Sequence, residues 1–101
     1  MKLEDIFRNI KSFEWDEGNR DKNWQKHQVD WKECEEVFLN GRIKIYYDLQ
    51  HSADEERYTV FGKTRVGRLL TIIFTIRNSK ICVISARDQD KKERKEYEKE
   101  D

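Results

Sequence analysis

A chain of 101 residues with 21 Lys+Arg against 21 Asp+Glu has room for one domain and carries no formal net charge. That balance excludes a nucleic-acid binder that is basic over its whole surface. Charged residues make up 42% of the chain, yet 12% aromatics, with three Trp among them, exclude a disordered polar chain.

The opening residues lack the apolar stretch of a signal peptide, and no later run is long enough to span a bilayer. A cytoplasmic protein without membrane contact is expected. Cys34 and Cys82 lie far apart inside apolar patterns, which fits a reducing compartment. Residues 1–12 read as an N-terminal extension, helical through Leu3, Ile6, Phe7 and Ile10. One domain over residues 13–98 and a charged tail over 99–101 follow.

Within the domain, Phe13-Glu14-Trp15 suits a short edge strand. Residues 16–27 suit a helix whose one face carries Trp24 and His27. Asp30 with Glu33 matches a capping box and opens a second helix, with the core-facing stripe Trp31, Cys34, Val37 and Phe38. Gly41 after Asn40 ends it. Strands are expected over residues 43–48, 57–63, 69–76 and 81–86, and the third is almost continuously apolar, as in a central strand. The links over 64–68 and 77–80 are short and made of turn residues, so the strands form an antiparallel meander. Asp90 with Glu93 is a second capping box, opening a charged helix to about Glu98. The fold class is α+β: two N-terminal helices, a four-stranded antiparallel meander and a short C-terminal helix.

Position reveals what the net charge hides. Residues 57–87 hold seven basic side chains (Arg57, Lys63, Arg65, Arg68, Arg77, Lys80, Arg87) and no acidic one. In a meander, alternate connections fall at the same edge of the sheet. One edge therefore collects Lys44, Lys63, Arg65, Arg68 and Arg87, and the other collects residues 51–57 with Arg77 and Lys80. Converging cations suit a phosphate-bearing partner, although exposed strand ends are often basic for no functional reason.

The motifs narrow the chemistry. The only two histidines, His27 and His51, are far apart and no Cys/His pair has ligand spacing, so neither a metal nor another cofactor is expected. No phosphate-cradling Gly loop and no nucleophile elbow occurs. Acid–base chemistry with cationic help remains. RNA suits it, because its 2′-hydroxyl is a built-in nucleophile that needs only deprotonation, charge stabilisation and a proton for the leaving oxygen. Lys26-His27 closes a helix, where a cation is also favoured by the dipole alone. The run from His51 through Glu55-Glu56 to Arg57 could supply a base with its orienting partner, but by itself it reads more readily as a solvated loop. Arg87 follows an apolar strand and reads as a functional cation or as an anchor for the last helix. Trp15, Trp24, Trp31 and Tyr46-Tyr47 suit base stacking or core packing.

Several strings, in order, resemble the BrnT family of toxins. They are Phe13-Glu14-Trp15-Asp16, Asn23 with Lys26-His27, and Glu36-Val37-Phe38. Next come Asp48 with His51-Ser52 and Glu55-Glu56-Arg57-Tyr58, then Gly62, Gly67-Arg68-Leu69-Leu70, Ile84-Ser85-Ala86-Arg87, and Glu93-Arg94 with Tyr97-Glu98. The resemblance covers Phe13 to about Glu98. It implies a fold like that of RelE-type toxins, metal-independent RNA cleavage that arrests translation, and a cognate antitoxin. That antitoxin is expected to be BrnA-like, with a ribbon-helix-helix part, so operator DNA is met only through it. Carried over by motif, Lys26, Glu56, Arg68, Arg87 and His51 are the expected catalytic positions, and Arg57, Lys63, Arg65 and His27 the expected RNA contacts. Two positions depart from the family pattern: Gln28 where Gly is usual, and Cys82 where a basic residue is common.

The alternative is a non-catalytic antitoxin-binding module, a degenerate toxin serving as corepressor. A stand-alone DNA-binding protein fits worst, because the two central helices are acidic.

Overall fold

The apolar run of residues 69–76 becomes the middle strand of a five-stranded sheet in a computed structural model of the chain, whose described residues are Ile10, 12–39, 42–48 and 55–99. In chain order the elements are β1 (Ser12–Glu14), α1 (Glu17–His27), α2 (Trp31–Leu39), β2 (Lys44–Tyr47), β3 (Tyr58–Lys63), β4 (Leu69–Arg77), β5 (Lys80–Asp88) and α3 (Lys91–Glu98). Of the expected helix over residues 1–12, residues 1–9 and 11 lie outside the described residues, while Ile10 is not helical and Ser12 opens β1; the Gly41 stop and the His51–Ser52 loop also lie outside them.

The sheet order is β1-β5-β4-β3-β2, with β2 to β5 forming the expected antiparallel meander. The four-stranded reading needs one correction. β1 adds a fifth strand, parallel to β5, with Ser12 opposite Lys80 and Glu14 opposite Cys82. A three-residue strand whose partner is at the far end of the chain has no hairpin turn to announce it. The sheet is therefore mixed.

Side chains alternate between the two faces. Val60, Ile72 and Ala86 share a row on one face and are fully buried, with Cys34 and Val37 of α2 in the same core. Phe38 of α2 stands edge-on to Phe74 at 5.1 Å. The stripe read from the sequence is thus the face of α2 that covers the sheet. Gly62 lies where α2 comes closest: an added Cβ would meet Val37 Cγ1 at 2.6 Å and Ile43 Cγ2 at 3.2 Å. The row Lys44, Phe61, Thr71 and Arg87 points to the opposite face, where α3 sits. Lys44 Nζ donates to the Glu96 and Lys99 carbonyls at 2.7 Å, and Arg42 to those of Tyr97 and Lys99, so the open end of α3 is tied to β2.

α1 packs differently from its expected face. Trp24 is 56% exposed, while buried Asn23 lies between half-buried Arg20 and His27 at helical spacing. The reason is what α1 covers. β1 pairs only the first part of β5, and the Asn23 side-chain oxygen accepts the Ala86 N–H at 3.0 Å where the strand edge is left open. A polar residue is needed there, because an unpaired buried N–H costs about 1–3 kcal/mol.

α1 ends at Gln28, whose φ of 52° is the left-handed conformation that glycine adopts most readily. It lets the N–H groups of Gln28 and Val29 turn back to the carbonyls of Trp24 and Asn23. A glycine at this place would meet the same backbone demand without strain. Gln28→Gly should raise stability by about 0.5 kcal/mol or more, the left-handed penalty of about 1–2 kcal/mol less the extra entropy of an unfolded glycine. An unchanged or lower urea midpoint would show that the Gln28 amide, 3.3 Å from the Trp24 and Gln25 carbonyls, outweighs the strain.

Candidate functional site

The Asp90 capping box forms in full and the Asp30 one in part, and each also serves the cationic end of the sheet. At α3, the Asp90 carboxylate takes the Glu93 N–H and the Glu93 carboxylate takes the Asp90 N–H, at 2.8 and 2.9 Å. The same Glu93 carboxylate receives the Thr71 hydroxyl at 3.0 Å and a bidentate pair from Arg87 at 2.7 and 2.9 Å. Arg87 also donates to the Asp88 carbonyl, so three of its N–H donations are engaged, of the five a guanidinium offers. Its side chain is 36% exposed against 16% for Glu93, so the pair fixes the guanidinium plane while leaving one edge in solvent.

Burial pushes the Glu93 carboxyl up, but Arg87, the Asp90 N–H and Thr71 together hold it below the ordinary glutamate value. A carboxyl depressed in the folded state stabilises above its unfolded pKa, and that contribution is lost as pH falls through the folded value. Stability should therefore drop on acidification below about pH 4.5, the unperturbed value. Glu93→Gln should flatten that drop and cost about 1–2 kcal/mol at neutral pH. Urea midpoints of both proteins from pH 3 to 7 check this, and parallel profiles would refute it.

At the start of α2, Glu33 accepts the Asp30 N–H at 3.0 Å and Asp30 accepts the Lys32 N–H at 3.1 Å. Glu33 also faces Arg68 at 3.2 Å. Arg68 reaches Asp88 at 2.8 Å and the carbonyls of His27 and Gln28 at 3.2 and 2.8 Å. Its guanidinium thus joins the end of α1, the start of α2 and the end of β5. The Arg68 hydrogen bond, then its charge and that of His27, hold the Asp88 carboxyl below its usual range against the opposing effect of burial.

The structure therefore gathers Lys63, Arg65, Arg68, Arg87 and the Lys26-His27 end of α1 at one end of the sheet. It also divides them by face. Arg68 and His27 lie on the side of α1 and α2, with Lys26 exposed in the last turn of α1. Arg87 lies on the α3 side, and by alternation so does exposed Lys63. Arg65 is exposed in the hairpin, and its backbone N–H is bound by Glu36 at 3.0 Å.

Glu56 and Arg57 stand at the other end of the sheet. The Glu56 carboxylate accepts the Tyr58 hydroxyl at 3.0 Å, and its carbonyl accepts the Thr75 hydroxyl at 2.7 Å. Burial, then the hydrogen bond to Glu56, push the Tyr58 hydroxyl up to about 12. Nearby, Arg77 pairs with Glu55 at 2.7 Å. Thr71 lies opposite Arg87 and Thr75 against Glu56, so about four residues of β4, or ~13 Å, separate the two ends. His51 is outside the described residues.

Sequence reasoning missed Glu33 and Asp88 as partners of Arg68, and Asn23 as the seal on β5. The capping-box pattern already marked Glu33 and Glu93, but not their second use. Cys82 is buried, with its thiol 3.3 Å from Glu14 on the neighbouring strand. A basic residue there would face the same carboxylate. Among the described residues no helix is long and apolar enough to cross a membrane.

The family profile described as "Ribonuclease toxin, BrnT, of type II toxin-antitoxin system" matches residues 15–93. Among solved structures, the chain is similar to the Brucella abortus ribonuclease toxin BrnT, with a TM-score of 0.61 and 25% sequence identity over 79% of this chain and 97% of that one. No curated protein gives a significant match. The profile runs from the residue after β1 into the first turn of α3, taking in both N-terminal helices, the meander and the Arg87–Glu93 pair, and on that match the chain belongs to the BrnT family of ribonuclease toxins of type II toxin–antitoxin systems.

Proposed function

We propose that the chain cleaves RNA without a metal, on the α3 face of the sheet, and so arrests translation. The observation that carries this reading is Arg87. It is a half-exposed guanidinium held in one plane by Glu93, at the end of the sheet where the basic hairpin and the end of α1 also converge. Such a group binds phosphate with directed N–H donors and stabilises charge that grows on it during attack by the 2′-hydroxyl. Lys63 adds cationic attraction on the same face. Lys26, at the rim, is assigned to proton transfer, and His27 beside it to RNA contact. Arg68 acts as a positioning residue, since its donors hold Asp88, Glu33 and two carbonyls. Glu56 and His51 stay proposed catalytic positions, and Arg57 a proposed RNA contact.

A cognate antitoxin neutralises the chain in the cytoplasm. We assign it the BrnA-like, ribbon-helix-helix type, with operator DNA bound through that partner alone.

Purified protein is incubated with a defined single-stranded RNA in chelator, and with the same strand carrying 2′-deoxy sugars. Cleavage of the first only, ending in a 2′,3′-cyclic phosphate, is expected. Loss of cleavage in chelator, or cutting of the deoxy strand, would remove the mechanism. The pairing of both Arg68 and Arg87 with carboxylates favours, as second reading, a corepressor without activity. It takes over if neither RNA loss nor growth arrest is seen.

A further inference from the structure

We propose that the groove between β2–β3 and α3 holds one unstacked base of the RNA whose phosphate meets Arg87, with Tyr46 as the stacking surface. This rests on the ribonuclease reading of the same face. The groove is shallow and open to solvent, about 300 Å³ in volume, and is lined by Tyr46, Phe61, Lys92, Glu93 and Glu96. That is the small end of the range for ligand sites, and its floor is almost wholly apolar.

Two rings form that floor. The Tyr46 and Phe61 centroids are 5.2 Å apart, with planes tilted by 53°. Phe61 is 8% exposed and Tyr46 38%, so the first backs the groove and the second offers its ring to solvent. The Tyr46 hydroxyl donates to Glu96 at 3.2 Å, which restrains the ring. An apolar floor with an aromatic wall suits a flat, weakly polar ring better than a sugar or a phosphate. Every base has a π-face, and RNA recognition draws on bases splayed out of their stack.

Continuity with Arg87 names the occupant. Glu93 is both a wall of the groove and the bidentate partner of Arg87. Thr71, bonded to that carboxylate, lies in register between Phe61 and Arg87. The row crosses two strand spacings, so Phe61 at the floor of the groove stands ~10 Å from Arg87, with Tyr46 one strand further out, a span that a base and its adjoining phosphate bridge. Lys92, at the rim, adds a cation for the flanking backbone.

The test compares the full chain with Tyr46→Ala and Tyr46→Phe on short single-stranded RNAs carrying 2-aminopurine at successive positions. Fluorescence, binding and cleavage kinetics are read together. The parent should quench the probe at one position. Tyr46→Ala should lose that quenching, weaken binding about tenfold and raise KM more than it lowers kcat, and Tyr46→Phe should restore all three. Equal quenching, binding and KM in Tyr46→Ala and the parent would overturn the groove while cleavage stands. A parent that binds and quenches but never cuts retires the ribonuclease reading and keeps the groove. A parent that binds no RNA sinks both. Weaker binding of the antitoxin by Tyr46→Ala, with RNA binding unchanged, would assign the groove to a protein partner and overturn the proposal.

Discussion

Arg87→Ala is expected to reduce RNA cleavage by about a hundredfold or more while the chain stays folded. The side chain is attached to a buried strand but is itself 36% exposed, so its removal opens no cavity in the core. What the fold loses is the bidentate pair to Glu93, a cost of about 1–2 kcal/mol. Glu93 keeps the Asp90 N–H and the Thr71 hydroxyl, so α3 remains capped. What catalysis loses is the oriented guanidinium at the phosphate, which a flexible ammonium in Arg87→Lys replaces only in part. Glu93→Gln is the control. It sacrifices comparable stability but keeps the guanidinium, so its activity should fall far less. Equal loss of activity in Arg87→Ala and Glu93→Gln would reduce Arg87 to an anchor for α3. Full activity in Arg87→Ala would place the chemistry elsewhere.

Gly62→Ala is the substitution expected to do the most harm per atom added, about 2–3 kcal/mol. The new methyl would stand 2.6 Å from Val37 Cγ1, and Val37 is fully buried, so neither side chain has room to turn away. α2 would have to lift from β3, and the Gly62 carbonyl would be pulled from the buried Gln89 amide that now reaches it at 3.2 Å. Val37→Ala alone opens a cavity, and Gly62→Ala alone overpacks. The double variant should therefore cost clearly less than the two singles together, by about 1 kcal/mol or more in urea denaturation. Strict additivity would show that the clash is not with Val37.

The strands and two of the helices were legible because their signals are local. The hairpin links, the apolar run of β4 and the stripe on α2 each fit within a dozen residues. Capping boxes at Asp30 and Asp90 are four-residue patterns; the second formed in full, the first only through the Glu33 carboxylate on the Asp30 N–H. The parallel pairing of β1 was not legible, because Glu14 and Cys82 meet across 68 positions with nothing between them to specify direction. Trp24 misled because α1 seals a strand edge, where Asn23 is worth more than an indole. The candidate site was half legible. The acid-free run from Arg57 to Arg87 indicated which end of the sheet would be basic. It did not indicate that Arg87 and Asp88, adjacent in sequence, would turn to opposite faces and take Glu93 and Arg68 as separate partners.

The parallel pairing also sets a schedule. During synthesis β1 emerges early and must wait for β5. At about 5–20 residues per second, the 68 positions between Glu14 and Cys82 take roughly 3–14 s to make. Throughout that interval Asn23 has no Ala86 to meet and the end of the sheet that carries Arg87 does not exist. A chain built in this order keeps β1 without its partner, and the Asn23 side chain without the N–H it seals, until β5 has been made.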